Sequence, residues 1–435
     1  MATETKKTEV GSYFISNYPP YSAWKSESLQ EVTSVMQAPP AEVPLGLYLH
    51  IPFCRKRCKF CYFRVFTDKR QSEVRDYLAA LDKEIELVSK LPVMGGRPFR
   101  FVYFGGGTPS FLAPRQLEAV VDSLRKNISW DQAEEVTFEC EPGTLTPRKV
   151  KTLKEIGITR LSLGVENFHD GILEENGRAH LSGEVYKAWD SIVEANFDSV
   201  NIDLIAGMVG ETWDNWKENI RKTIEMSPDS VTIYQMELPF NTVISQGVLH
   251  EGKPIPVADW TLKREWVDYA FAELEAVGYE VSSAYTMVKK SKNVKFSYRD
   301  HLWKGSDLLA TGIASFGHVS GVHYQNLPDW KGYMETLTEK GELPLGRAFR
   351  PTEHQLLVRE MILQMKKGWL DVQYFQNKFG VNILSEWQAE WDKYKEEGWL
   401  SYEPDRIQLT REGLLRVDGL LPAFFEAEHQ GIRYT

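Results

Sequence analysis

Cysteine is scarce in this sequence, with four in 435 residues. A secreted scaffold stapled by disulfides needs a denser set, so that class is excluded. No apolar run reaches the ~18 residues of a membrane-spanning helix. The first ten residues lack the apolar core of a secretory signal. There is no basic excess either: 51 Lys and Arg stand against 61 Asp and Glu, a net charge of -10. Proteins that hold nucleic acid draw much of their affinity from phosphate contacts and carry a positive surplus. Neither nucleic acid nor a membrane span is therefore expected. Repeats and low-complexity tracts are lacking too. What is present is a globular composition, 42% hydrophobic and 26% charged, long enough for about three domains at ~150 residues each. A reducing, cytoplasmic setting suits it.

Residues 1–45 read as an arm laid across a core, with one helical stretch near 26–36. From Gly46 onward, short β-rich runs alternate with amphipathic stretches. The runs are Leu47–Ile51, Phe101–Phe104, Val136–Cys140, Arg160–Val165, Ser199–Ile205 and Ser230–Met236. Between them, apolar residues recur at helical spacing, as at Val74, Tyr77, Leu78, Leu81, Ile85 and Leu87. Strand–helix alternation predicts right-handed βαβ units and a parallel sheet. Six units are fewer than the eight of a closed barrel. The expected fold is α/β, an open partial (β/α)6 barrel over 46–285. A helix near 259–276 leads to a further run, Tyr279–Tyr285. A strand-and-loop extension follows over 286–345. The tail, 346–435, is expected to carry helices near 352–366, 371–379 and 383–397, a hairpin at Leu400–Tyr402 and Ile407–Leu409, and a last helix from about 410 to 427. That order suggests a winged-helix shape, and the acidic chain favours a lid or docking role over DNA binding.

Three of the four cysteines, Cys54, Cys58 and Cys61, directly follow the first run. Zinc structural sites want four ligands, usually as two separated pairs. No second pair exists. An iron–sulfur cube normally takes four thiolates; with three, one iron keeps an open coordination site that a bidentate amino acid can chelate. Arg55, Lys56, Arg57 and Lys59 offset the negative charge of thiolates and cluster. Cys140 stands alone and reads as a packed thiol.

Other signals sit at strand ends. Gly105, Gly106, Gly107 and Thr108 close the second run, where glycine lets a ligand approach the backbone; a tight strand–helix turn would read the same. Glu139 ends the third run and suits a ribose diol, or an ordinary exposed strand end. Glu166 and Asp203 are acids inside apolar strands, so they need partners. Arg178 is a carboxylate clamp or a surface ion pair.

Taken together these residues resemble the radical S-adenosylmethionine (SAM) superfamily, and within it the HemN-like group. The resemblance rests on C-x3-C-x2-C after Tyr48, His50, Ile51, Pro52 and Phe53, on Gly105 to Pro109, on Leu163 to Val165, on Gly177, Arg178 and His180, and on Ile202 to Ile205. It covers nearly the whole chain. Asn17, Tyr18, Pro19 and Pro20 are similar to the arm of oxygen-independent coproporphyrinogen III oxidase, and the tail is similar to its C-terminal domain.

The resemblance implies a [4Fe-4S] cluster on Cys54, Cys58 and Cys61, with the amine and carboxylate of SAM on the open iron. A low-potential electron donor such as flavodoxin or ferredoxin drives cleavage of SAM to a 5′-deoxyadenosyl radical. Two SAM molecules are implied by position. The first touches Tyr48, Gly106, Glu139 and Phe316. The second touches Phe60, Gly107, Thr108, Glu166, Arg178, Asp203 and Met236. The implied enzyme is a radical SAM oxidoreductase that decarboxylates coproporphyrinogen III propionates to vinyls, with a small-molecule, tetrapyrrole-class substrate. Three departures open alternatives. Phe63 stands where the oxidase has a further cysteine. Glu166 stands where it has glutamine. Tyr298 to Trp303 keeps a His and a Trp of the heme-chaperone motif without its spacing. A HemN-like C-methyltransferase or cyclopropanase, and a heme chaperone using His301, are the other two readings.

Overall fold

The six apolar runs become strands β1 (Leu45–Ile51), β2 (Phe99–Gly106), β3 (Glu135–Cys140), β4 (Arg160–Glu166), β5 (Ser199–Ala206) and β6 (Ser230–Gln235). Nine further strands follow among the described residues. They are β7 (Tyr279–Ser283), β8 (Thr286–Lys289), β9 (Asp307–Thr311), β10 (Phe316–Val319), β11 (Val322–Asn326), β12 (Leu345–Phe349), β13 (Trp369–Asp371), β14 (Leu400–Glu403) and β15 (Arg406–Leu409). The computed structural model describes residues 7–431. The chain divides into two units. The first holds Trp24–Asp203 and Lys295–Arg350; the second holds Leu204–Val294 with the described parts of Met1–Ala23 and Pro351–Thr435.

In the first unit the strands lie in the order β12-β11-β10-β9-β1-β2-β3-β4-β5. β1 pairs in parallel with β2 on one side and with β9 on the other. β2 with β3 and β3 with β4 are also parallel. The chain is thus an α/β protein with a parallel-strand sheet, as its alternation predicts. Both faces of such a sheet are covered, so its strands carry few exposed positions; six of the seven residues of β1 are buried. The helix Gln71–Ser89 buries Val74, Tyr77, Leu78, Leu81, Ile85 and Val88 on one stripe, each side chain contributing about 1.5–3 kcal/mol. Leu87 is half-exposed rather than on that stripe, because Glu84 and Val88 hold the inward positions. The Glu84 carboxylate accepts from Gly312 N at 2.8 Å, Tyr333 Oη at 2.6 Å and Asn326 Nδ2 at 2.6 Å. Burial still pushes it up to about 7. This buried acid fixes the turn that leads from β9 into β10.

In the second unit β6, β8 and β7 are neighbours in that order, and β8 is antiparallel to both. The expected run 279–285 is therefore the first strand of a hairpin plus its turn. The C-terminal region is helical, with Glu353–Met365, Val372–Phe379 and Gln388–Glu396. Its hairpin gains a third strand, giving the order β13-β15-β14. The single helix expected over 410–427 is instead three short pieces, Arg411–Leu415, Val417–Leu420 and the 3-10 turn Leu421–Phe424. Pro422 has no N–H and its ring opposes the carbonyl four residues back. Arg416, at φ -114 and ψ 14, is already outside helical geometry.

Residues 7–23 pack within the second unit. Gly11 N donates to Leu238 O at 2.7 Å, and Leu238 N to Ser12 Oγ at 3.0 Å. The fully buried Lys366 donates to Ile15 O, lies 3.1 Å from Asp418 and sits 3.8 Å from the Phe14 ring centroid. Removing one partner of such a buried pair costs on the order of 3 kcal/mol. We expect Lys366→Met to loosen the arm and to speed cleavage within 7–16 under limited proteolysis. Unchanged cleavage would mean that the apolar contacts alone hold it.

Candidate metal and cofactor site

β1 ends at Ile51, and the chain turns at Pro52 and Phe53 into the cysteine loop. Phe53 pairs with Phe66 in an isolated bridge, and Cys54 N donates to Phe66 O at 3.1 Å. The loop is thereby closed at its base. Within it Cys61 N donates to Cys58 O at 3.2 Å, which makes a tight backbone turn between these two cysteines. Cys54, Cys58 and Cys61 are half-buried free thiols. Burial pushes Cys54 up to about 11 and Cys61 up to about 12, so they ionise only against a cation.

Neighbouring loops fasten this segment. Thr108 Oγ1 lies 3.3 Å from Cys54 Sγ, and Arg178 Nη1 lies 3.4 Å from Cys58 Sγ. Arg55 grips Glu141 through Nε at 3.0 Å and Nη2 at 2.8 Å, the bidentate geometry that makes such pairs strong. Arg55 Nη2 also donates to Ala179 O at 2.9 Å. Lys59 N donates to Asn176 O at 3.0 Å, and Lys59 Nζ meets Glu175 at 3.0 Å. Gly177 has φ +75, and a Cβ there would lie 3.2 Å from Lys59 N. At Gly107 a Cβ would lie 2.8 Å from the Pro52 carbonyl carbon and 3.0 Å from the Ile51 oxygen. Only glycine lets these loops touch.

Three acids stand on neighbouring strands in the same unit, Glu139 near the end of β3, Glu166 at the end of β4 and Asp203 within β5. Glu139 accepts from Tyr103 Oη at 2.7 Å and from Gly106 N at 3.2 Å. Tyr103 stacks on Tyr48 at 5.9 Å, and Tyr48 Oη lies 3.3 Å from His50 Nδ1. Glu166 has the left-handed φ of 64 and lies 3.6 Å from Arg178. Asp203 accepts from Ser162 Oγ at 2.7 Å and Asn201 Nδ2 at 2.9 Å. Burial pushes Glu139 and Glu166 up to about 7 and Asp203 up to about 6, and their mutual repulsion adds to it. Arg178 also donates to Gly164 O at 2.8 Å, while its buried Nε has no protein partner.

The structure thus gathers most of the sequence-predicted residues into one unit. Gly106, Gly107 and Thr108 line the loop after β2, with Glu139, Glu166, Arg178 and Asp203 on the following strands and loop. Tyr48 is on β1, and Phe60 is half-buried between Cys58 and Cys61. Phe316 is on β10, set edge-on against Trp24 at 5.6 Å. Met236 belongs to the second unit, where its N–H donates to Ala206 O at 2.8 Å and its carbonyl accepts from Lys263 Nζ at 2.7 Å. Sequence reasoning passed over Glu141, which binds Arg55 and lies 3.3 Å from His180 Nδ1. Burial raises its pKa, but His180 and Arg55 outweigh that and hold it down at about 2. His50 and Tyr103 were missed as well. The repeated acids around Cys140 and the Tyr48, His50 alternation were the available signals.

Residues 48–223 match the radical SAM superfamily. Heme chaperone HemW of Bacillus subtilis (strain 168) is 26% identical over 386 residues, which is 87% of this chain and 98% of that protein. Oxygen-independent coproporphyrinogen III oxidase of Synechocystis sp. is 25% identical over 405 residues, 88% of this chain and 85% of that one. In fold, the chain matches the solved coproporphyrinogen III oxidase (HemN) of Escherichia coli with a TM-score of 0.81, covering 95% of this chain and 96% of that one at 23% identity. Over most of its length the chain is similar to HemN and HemW proteins, with the radical SAM match at 48–223. Radical SAM proteins work with a [4Fe-4S] cluster and SAM, and the residues of this chain fit both groups. Three thiols on one loop leave a fourth iron position without a cysteine. Three buried acids outnumber the two buried guanidinium groups that act on them, Arg178 and Arg160, an imbalance that a cationic ligand such as SAM offsets.

That imbalance sets a pH dependence. The three carboxyls keep protons in the folded chain that an unfolded chain releases above the ordinary carboxyl range. Without ligand, they therefore make stability fall as pH rises from about 4.5 toward 7. A cationic ligand favours their ionised forms. SAM affinity is expected to rise between pH 6 and 8, with proton release on binding. Calorimetry in two buffers of different ionisation enthalpy measures both; affinity that falls with pH would contradict the assignment.

Proposed function

We propose that this chain is a radical SAM enzyme acting on a porphyrinogen-type tetrapyrrole, with oxidative decarboxylation of coproporphyrinogen III propionates as the favoured reaction. One observation carries the reading. The first unit has two carboxylate stations, Glu139 with Tyr103 and Gly106, and Glu166 with Asp203 and Arg178. Two stations suit two SAM molecules. Cys54, Cys58 and Cys61 would hold the cluster. Tyr48, Gly106, Glu139 and Phe316 would hold the first SAM. Phe60, Gly107, Thr108, Glu166, Arg178 and Asp203 would hold the second. Bound cluster and SAM supply hydrogen abstraction by a 5′-deoxyadenosyl radical once a low-potential carrier gives the electron. The protein's part is to hold charge: the carboxylates receive the ribose hydroxyls and cationic groups of SAM, and Arg178 receives its carboxylate.

Methyl transfer or cyclopropanation is the second reading. Phe63 is compatible with it: this ring, 47% exposed and packed on Tyr62, stands where the oxidase has a cysteine. For the chaperone reading His301 would have to give up Glu134, 3.2 Å from its Nε2, and its stacking on Phe101. The test is anaerobic incubation of reconstituted protein with coproporphyrinogen III, SAM and dithionite. Vinyl products support the oxidase. 5′-Deoxyadenosine with S-adenosylhomocysteine and no vinyl product selects methyl transfer. Tight heme binding without SAM turnover selects the chaperone.

A further inference from the structure

A cavity of about 340 Å³ lies within the second unit, outside the unit that holds the cysteine loop. Val281 and Ser282 reach it from β7, Trp369 from β13, and Arg406 and Gln408 from β15. Its lining carries three cations, Lys367, Arg406 and Arg411, and no acid among the described residues. The chain as a whole has a net charge of -10, so this cavity runs against the general balance. Two of the cations are held in place. The Gln408 amide donates to Gly368 O at 2.9 Å, and its Oε1 accepts from Arg406 Nε at 3.1 Å and Nη2 at 2.9 Å. The Arg406 guanidinium lies 4.5 Å from the centroid of the Trp369 ring. Asp371, opposite Arg406 on β13, is occupied in capping the helix Val372–Phe379. Arg411 is anchored by Glu275 and by Asp268 at 3.7 Å, while its buried Nη1 has no hydrogen-bond partner among the described residues.

A guanidinium fixed before binding loses little freedom when a ligand arrives, and its fork matches the oxygens of a phosphate or carboxylate. The Trp369 ring is 40% exposed, so it offers flat apolar area beside that fork. A buried N–H without a partner is costly, and an anion that accepts from Arg411 Nη1 removes the cost. From these residues we infer that the cavity binds a small planar ring bearing an anionic group, an aryl phosphate or aryl carboxylate. Arg406 and Arg411 receive the anionic group, and Trp369 receives the ring. The volume is at the lower end of the ~300–1,000 Å³ of small-molecule sites, which suits one ring with one anionic group rather than four linked pyrroles. The ligand is therefore distinct from the tetrapyrrole of the proposed reaction, and the site does not depend on the radical SAM reading.

The experiment uses the full chain, with phenyl phosphate and phenylacetate as probes and with inorganic phosphate and phenol as the separate halves. Calorimetry at 20 and 200 mM salt gives affinities, and amide hydrogen exchange locates the bound probe. At least one ring anion should bind one to one, at least tenfold tighter than inorganic phosphate or phenol, and should slow exchange in β13 and β15. The tighter of the two tells phosphate from carboxylate. Arg406→Gln should weaken that binding at least tenfold and flatten its salt dependence, since the charge it removes is screened at high salt. Arg406→Lys, which keeps the charge and loses the fork, should lose less and keep the salt dependence. Trp369→Ala should weaken the ring anion at least fivefold and leave inorganic phosphate unchanged. If Trp369→Ala does not fold, Trp369→Phe is scored for a smaller loss in the same direction. Binding of neither ring anion, phenol binding as tightly as phenyl phosphate, protection confined to other segments, or affinity unchanged by both the Arg406 and the Trp369 variants overturns the site.

Discussion

Replacing any one of Cys54, Cys58 or Cys61 with alanine should abolish SAM cleavage, bringing 5′-deoxyadenosine to background and lowering bound iron. Replacing Cys140 should do neither. The contrast follows from placement. The three loop thiols sit on one closed segment, each half-buried, with Thr108 beside Cys54 and Arg178 beside Cys58. Cys140 is 5% exposed on β3, its Sγ 3.9 Å from Phe138 O, and burial pushes its thiol far up. It behaves as a small apolar residue, and its loss removes about 1 kcal/mol of packing. Iron quantitation on anaerobically reconstituted variants, beside the product assay, tests all four. A Cys58→Ala protein with full iron and full activity would sink the assignment.

Arg178→Ala is expected to have the next largest effect. The guanidinium is nearly buried, lies 3.6 Å from Glu166 and reaches Cys58 Sγ and Gly164 O. Its removal leaves a buried carboxylate without its cation, at a cost of about 3 kcal/mol, and frees one wall of the cysteine loop. Chemical denaturation of the metal-free protein should show that loss, and reconstitution should yield less iron. Adding Glu166→Gln should recover part of the stability, because the stranded charge is gone, without restoring the iron. A double variant no more stable than Arg178→Ala would mean that the bond to Gly164, and not the charge pair, carries the effect.

The local features were the legible ones. The cysteine spacing, the glycine run and the acids at strand ends lie within a few residues of a strand terminus, so the pattern itself states their position. Partnerships across long stretches were not legible. Glu141 meets Arg55 from 86 positions away, and nothing in either segment names the other. Glu84 was hidden for a related reason: it occupies an apolar position on a helix stripe, where its partners Gly312, Asn326 and Tyr333 come from the far end of the same unit. β9 was read only as part of a mixed region, because five residues are too few to announce a parallel strand. The last helix was misread because Leu414, Leu415, Val417, Leu420, Leu421 and Phe424 keep helical spacing across a proline and are all buried. Burial alone set that spacing.

The fastening of the cysteine loop changes what iron loss means for this protein. In small zinc modules the metal is the architect, and removing it dissolves the fold. Here the Arg55–Glu141 clasp, the Lys59–Asn176 bond, the bridge at Phe66 and the close approach at Gly107 all join protein to protein. None of them passes through sulfur. Oxygen or iron starvation that strips the cluster would leave a mould still holding its shape, ready to be recast in place. Damage of this kind would then be reversed by refilling existing molecules, not by making new ones.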